Sequence, residues 1–336
     1  MSVLVTGGAG YIGSHVAHAL IDRGESVVAI DDLSTGVREL VPSEATFYEG
    51  RADDVDLLRR ILTEHGVDAV LHFAGSTVVP ESIVDPLTYY ANNTVATHAL
   101  LTEAKRAGVG AFVFSSTAAV YGQVPPEPVG EDHVPAPITP YGRSKLFSEH
   151  ILADTVHAGG PPFVALRYFN VAGADPKGRT GQSTPRATHL IKVACEVTAG
   201  KREYLEVLGS DYDTPDGTCV RDFIHVSDLA DVHLVALDHL RGGGRSLILN
   251  CGYGHGYSVR EVVQALERIS GCAVPTVDRP RREGDLVSVV ARTTALSEAF
   301  GWTPSHASLD TILETALRWE LRSAPSREHS AELADP

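Results

Sequence analysis

A glycine-rich turn between an apolar run and an amphipathic stretch constrains this chain more than any other feature. Ser2 to Thr6 opens directly into Gly7-Gly-Ala-Gly-Tyr-Ile-Gly13, followed by a helical pattern of Ile12, Val16 and Leu20 that Gly24 closes. Gly8, Gly10 and Gly13 satisfy the spacing of a dinucleotide-binding turn, and Gly7, Gly10 and Gly13 give a slightly longer variant of it. Such glycines let the backbone turn tightly and approach a pyrophosphate, which then sits at the positive end of the helix. A second apolar run, Ser26 to Ile30, ends in Asp31-Asp32. A carboxylate there accepts hydrogen bonds from ribose hydroxyls and repels a 2′-phosphate, which favours NAD over NADP. A glycine turn without a ligand is the plain alternative. Strand, glycines, helix, strand and acid in that order favour the nucleotide.

The alternation continues. Thr46 to Glu49, Ala69 to Phe73, Ala111 to Ser115 and Pro162 to Arg167 read as strands; Val55 to His65 and a long segment from Pro86 through Ala107 read as helices. Strands separated by helices require crossovers, so the expected fold is α/β, a doubly wound parallel sheet of the Rossmann type. In such sheets ligands sit beyond the carboxyl ends of the strands, where Gly7 to Gly13, Asp31, Phe73-Ala74-Gly75 and Ser115 to Thr117 all fall. Residues 1–170 are expected to form this nucleotide domain, with a return segment at about 225–250. Residues 171–322, where the alternation fades, form a smaller mixed α/β substrate domain, and 323–336 a disordered tail. Ser258-Val-Arg-Glu261 predicts a capping box opening a helix that Gly271 closes, and Ser308 caps a last amphipathic helix.

Tyr141-Gly-Arg-Ser-Lys145 carries the chemistry. Residues four apart share a helix face, so the phenol and the ammonium project side by side. A neighbouring ammonium favours the phenolate and pulls the tyrosine down from its usual value of about 10, giving a base that works near neutrality. Alone, the spacing is as easily a solvated helix face. Its position after Thr117, at a strand end, raises it to a candidate site.

The remaining composition mostly excludes. A formal net charge of -15 argues against nucleic acid or an anionic membrane as partner. Cys195, Cys219, Cys251 and Cys272 lack metal-type spacing, the fifteen histidines form no ligand cluster, and no metal is expected. No apolar run is long enough to span a bilayer and no leader is recognisable, so a cytoplasmic protein is expected.

With these motifs in place the chain resembles the extended short-chain dehydrogenase/reductase family, within it the branch of nucleotide-sugar 4-epimerases, from Val3 to about Trp319. The resemblance rests on the glycine turn, His72-Phe-Ala-Gly75, Tyr89-Tyr-Ala-Asn-Asn93, Ser115-Ser-Thr-Ala-Ala-Val-Tyr-Gly122 and Tyr141-Gly-Arg-Ser-Lys145. It continues with Leu166-Arg-Tyr-Phe-Asn170, Gly217 to Val226 and Arg281-Arg-Glu-Gly-Asp285. It implies Tyr141, Lys145 and Thr117 as catalytic residues. Cofactor contacts are implied at Gly7, Gly10, Tyr11, Ile12, Gly13, Asp31, Asp32, Phe73, Ala74, Gly75, Asn92, Ser115 and Tyr168. Nucleotide-sugar contacts are implied at Asn170, His189, Leu190, Arg221, Arg282, Asp285 and Val289.

The implied reaction is a reversible inversion at carbon 4 of UDP-hexoses through a 4-keto sugar, with tightly bound NAD, in a homodimer built through the helices at about Asp85 to Ala107 and Tyr141 to His157. Two positions depart from the pattern. Gly50-Arg51-Ala52 holds arginine where an aspartate usually meets the adenine, and Thr77 replaces a phosphate-facing lysine. The adenine is then held through Asp53 or by an arginine stacked on the base. Arg221 and Arg282 suit a diphosphate by their fork geometry, although Asp222, Glu283 or Asp285 could simply neutralise them.

A dehydratase of the same fold needs an acid-base pair directly after Thr117, where this chain has Ala118 and Ala119. A UDP-glucuronate epimerase or decarboxylase remains an alternative. A non-catalytic NAD sensor is disfavoured by Tyr141 and Lys145. Val289 leaves room beside carbon 2 of the sugar, so N-acetylated hexoses are expected to be accepted.

Overall fold

The computed structural model describes residues 1–322 apart from 126, 185, 186 and 283. The tail expected to be disordered and Glu283 therefore lie outside the described residues. The first part of the chain runs β1 (Ser2–Thr6), α1 (Tyr11–Asp22), β2 (Val27–Asp31), β3 (Thr46–Glu49), α2 (Val55–Glu64) and β4 (Val67–His72). It continues through α3 (Val79–Val84), α4 (Pro86–Tyr89), α5 (Ala96–Arg106), β5 (Ala111–Thr117), α6 (Pro140–His157), β6 (Phe163–Tyr168) and the short β7 (Asn170–Ala172).

Then follow α7 (Leu190–Thr198), β8 (Leu205–Leu208), β9 (Val220–His225), α8 (Val226–Arg241), β10 (Leu247–Cys251) and β11 (Gly256–Ser258). The last elements are α9 (Val259–Ser270), β12 (Thr276–Arg279), β13 (Ser288–Val289), α10 (Thr294–Phe300) and α11 (Leu309–Arg322).

Seven strands form one parallel sheet in the order β10-β6-β5-β4-β1-β2-β3. Strand β10 pairs with β6 along its whole length and so adds residues 247–251 to this sheet. The strands read as unbroken apolar runs because both faces are covered. Successive residues feed opposite cores: Val3 and Val5 face α1 and α8, while Leu4 faces α2, α5 and α6. The same alternation sends Val113 to the first core and Phe112 and Phe114 to the second. Each of those phenylalanines is fully buried, which contributes about 1.5–3 kcal/mol of transfer free energy. Chain order reverses between β1 and β4, and the crevice beyond those two strands is where this architecture binds ligands.

Most of the other elements gather on a third core of α7, α9 and α11, with β9 paired to β7, β11 and β13. The expected capping box at Ser258 and Glu261 is present, and Gly271 ends α9 in a left-handed conformation. Ser308 accepts from the amide of Thr311 at the start of α11.

One element differs from its expectation. The segment from Pro86 to Ala107 is not a single α-helix: a π-helical turn, Tyr90–Val95, separates α4 from α5. The wider turn carries Asn93, whose buried side chain accepts from the Ser76 amide and donates to the Ser76 carbonyl and the Ser144 hydroxyl. Such turns mark functional sites more often than ordinary helix does.

Candidate active site

The glycine turn is tightly packed on one side and bare on the other. A Cβ on Gly7, which has φ +69, would lie 2.7 Å from the Ala74 amide nitrogen, and one on Gly13 would lie 2.1 Å from the Gly7 carbonyl oxygen. The turn thus needs glycine to press against the end of β4. A Cβ on Gly10 would meet only the Gly7 carbonyl oxygen, at 3.2 Å. Gly10 caps α1 without any side-chain acceptor, and the first turn of α1 holds no acid. Its amides are therefore available to an anion, which is what a pyrophosphate requires. Tyr11 anchors the helix start by donating to the Gly173 carbonyl.

Asp31 accepts from the amides of Ala9 (3.0 Å) and Leu33 (2.9 Å), fixing the loop beyond β2. Burial raises its pKa, opposed by those amides. Asp32 accepts from Ser34 and lies 3.8 Å from Arg51.

Thr117 ends β5, and its hydroxyl accepts from the Ala119 amide in the 3₁₀ turn Ala118–Val120. Helix α6 begins nearby because Thr139 caps it, accepting from Gly142, and Pro140 supplies the first helical position. A Cβ on Gly142 would come within 2.5 Å of the Ala119 carbonyl oxygen, so backbone packs on backbone there. That close approach brings Tyr141 to Thr117, whose hydroxyl hydrogen-bonds the phenol. Lys145 follows one turn later, buried, donating to the Ser115 carbonyl at 2.9 Å and lying 4.9 Å from the centre of the Phe114 ring.

The electrostatics correct the sequence expectation for this pair. Burial holds the Tyr141 phenol above its ordinary value, and the hydrogen bond with Thr117 opposes that rise. Burial also pulls Lys145 down to about 8, with the Glu149 carboxylate acting against it. The ammonium is turned to the Ser115 carbonyl and does not bring the phenol toward neutrality.

Sequence reasoning missed the support behind this helix face. Glu149, one turn beyond Lys145, forms a buried fork with Arg167 (3.0 and 2.7 Å) and accepts from Ser116. Arg167 lies over the Tyr121 ring, and Tyr121 donates to Asn250. An arginine inside the apolar run of β6 and a glutamate in register with Lys145 were the available signals. His72 was read only as part of a motif. It bridges Thr6 and Thr97 across the β1–β4 crevice, and burial lowers its pKa to about 3. Tyr168 is hydrogen-bonded to His233.

In the second region β9 ties the remaining candidates together. Arg221 pairs in register with Val289, and Phe223, two residues on, with Asn170. Arg221 donates to Asp285 at 2.6 Å and Arg282 to the same carboxylate oxygen at 3.3 Å. Both guanidinium groups therefore converge, on one acid. Asp222 plays no part in neutralising them: it accepts from the amides of Tyr253, Gly254 and Ala291, and burial raises it to about 6. Asn170, His189 and Leu190 line one cavity with Gln182, Lys192 and Phe223. His189 is hydrogen-bonded to Gln182. Val289 packs against a small cluster containing Tyr121, Phe169 and Ala291. Among the described residues no group of histidines, cysteines and acids is placed to hold a metal ion.

A parallel sheet with a bare helix start at its reversal point, and a buried Tyr-Lys pair beside a strand-end threonine, define a dinucleotide-dependent enzyme of the short-chain dehydrogenase/reductase type. Residues 3–252 match the model of the NAD dependent epimerase/dehydratase family, and the chain belongs to that family. It is 58% identical over 318 residues to a UDP-glucose 4-epimerase of Azospirillum brasilense, covering 95% of this chain and 91% of the relative. It superposes with a TM-score of 0.92 on the UDP-glucose 4-epimerase of Brucella ovis in complex with NAD, at 44% identity, over 95% of this chain and 98% of that one. Against the UDP-Glc/GlcNAc 4-epimerase of Campylobacter jejuni the TM-score is 0.83 at 42% identity, over 96% and 99% of the two chains.

Proposed function

We propose that the protein is an NAD-dependent UDP-hexose 4-epimerase, interconverting UDP-galactose and UDP-glucose through a 4-keto sugar. The observation that carries this reading is the placement of Tyr141 against Thr117, with Lys145 one turn on and its Nζ beside Gly75, next to the Phe73-Ala74 backbone on which the glycine turn packs. NAD, when bound, supplies the hydride acceptor and donor for carbon 4. Tyr141 takes the proton of the 4-hydroxyl and later returns it, and Thr117 holds the phenol oxygen and steadies the sugar hydroxyl. Lys145 holds the nicotinamide ribose. The amides of the first turn of α1 receive the pyrophosphate, Asp31 and Asp32 the adenosine ribose. Phe73 to Gly75, Asn92, Ser115 and Tyr168 complete the cofactor wall.

Arg221 and Arg282 hold the UDP diphosphate, with Asp285 fixing both, while Asn170, His189 and Leu190 border the nucleotide sugar. A tether firm at the nucleotide and loose at the hexose lets the keto sugar present its other face. Residues 1–170 with 225–250 serve the cofactor and 171–322 the nucleotide sugar. Incubating the purified protein with UDP-galactose, UDP-GalNAc and UDP-galacturonate in separate reactions, with and without added NAD, tests the assignment. UDP-glucose is expected from the first without added NAD; conversion of UDP-galacturonate alone would move the reading to a glucuronate epimerase.

The protein acts as a homodimer. Ile83, Val84, Leu87, Val95 and Phe147 are exposed apolar side chains on α3 to α6, a patch suited to a second copy. A Leu87→Asp variant is expected to sediment as a monomer. Four unpaired cysteines suit a cytoplasmic site, which cell fractionation tests.

A further inference from the structure

The polar cluster at the ends of β2 and β3 holds a side chain to which the proposed function gives no role. Its centre is Arg51, in the turn that links β3 to α2. The guanidinium donates from Nε and one Nη to the two oxygens of Asp53, at 2.8 and 2.9 Å, and from the same Nη to Asn92 in the π-turn, at 3.1 Å. Its other Nη lies 3.8 Å from Asp32. Asn92 is held in turn by donating to Ser76. The group is thus pinned along one edge by three elements of the fold. Its side chain stays 49% exposed, and among the described residues no aromatic ring covers it.

The position follows from the sheet. The pyrophosphate belongs at the end of β1 and the ribose at the acids ending β2, so the base extends toward the end of β3. A half-exposed guanidinium, hydrogen-bonded along its edge and with no aromatic ring over it, is suited to stacking on a flat π-system. We propose that Arg51 is the platform on which the adenine of the cofactor stacks, and that Asp53 and Asn92 act by holding it flat rather than by reading the base. This rests on the assignment of NAD as cofactor. Stacking reads the face of a base and not its edge, so hypoxanthine in place of adenine should be tolerated.

The test is calorimetric binding to purified protein after nucleotide exchange, with folding of each variant checked by circular dichroism. The ligands are NAD, nicotinamide hypoxanthine dinucleotide and nicotinamide mononucleotide. Arg51→Ala should weaken NAD about tenfold, an effect in the range of a lost base-stacking partner. Arg51→Lys, which keeps the charge but not the plane, should lose nearly as much. Neither change should alter binding of the mononucleotide, which has no adenine. The native protein should bind the hypoxanthine dinucleotide within about threefold of NAD, since the stacked face is little changed. Full recovery by lysine, an equal loss with the mononucleotide, or strong rejection of hypoxanthine by the native protein would overturn the proposal. If the native protein binds none of the three, the cofactor assignment falls instead.

Discussion

Lys145 donates to the carbonyl oxygen of Ser115 at 2.9 Å rather than to Tyr141, its neighbour on the same face of α6. The two side chains are adjacent on the helix, yet the ammonium does not draw the phenol toward neutrality. Burial penalises both charged forms, raising the phenol and lowering the ammonium.

The Glu149 carboxylate is what keeps Lys145 protonated up to about pH 8. Removing that negative charge lowers the lysine further, so Glu149→Gln should move the alkaline limb of the kcat–pH profile to lower pH. The same change breaks the buried pair with Arg167 and should cost about 3–5 kcal/mol of stability. An alkaline limb left in place in the folded variant would show that Lys145 does not act through its charge.

Acid should unfold this protein through its buried histidines. His15, His72, His225 and His233 are held near 4, 3, 3 and 4, mainly by burial. A histidine depressed in the folded state adds stability that is fully present above its unfolded value of about 6.5 and is lost as pH falls toward its folded value. Each contributes a loss of about 1.4 kcal/mol per pH unit across that window. Asp222, raised to about 6, works in the opposite direction, as do Asp31 and Asp231, which burial also raises, against four histidines. Denaturant midpoints should fall steeply between pH 6.5 and 4; a flat profile would contradict the burial of these rings.

If the hexose lies where the proposed function puts it, Val289 would set the space beside carbon 2. Val289→Tyr should depress turnover of UDP-GlcNAc while sparing UDP-galactose, measured as kcat/KM for each. Equal loss on both would refute the steric reading.

Much of the sheet was legible because a strand covered on both faces must be apolar throughout, and short runs such as Val3 to Val5 or Phe112 to Phe114 suit little besides a buried strand. Caps were legible where the acceptor is a named side chain, as at Ser258 and Ser308. The π-turn at Tyr90–Val95 was not, since no residue type marks such a turn; within it the side chain of Asn93 reaches across to Ser76 and Ser144. The electrostatics of Tyr141 and Lys145 were misread for a similar reason. Spacing reports which side chains share a face, but not how deeply the face is buried or that a carbonyl such as Ser115 competes for the ammonium. Asp285 was legible as one of three acids that could neutralise Arg221 and Arg282, but that Arg221 pairs with it and not with its neighbour Asp222 depends on a contact across 64 positions of chain.

The most direct measurement is the rate of UDP-galactose conversion by Tyr141→Phe, with bound NAD quantified in the same preparation. Phenylalanine fills the same buried space and removes only the oxygen. The variant should fold, retain NAD and lose epimerisation by about 10²–10⁴-fold, the range of a lost general base. Activity near that of the native protein would mean that the proton of the 4-hydroxyl leaves by another route.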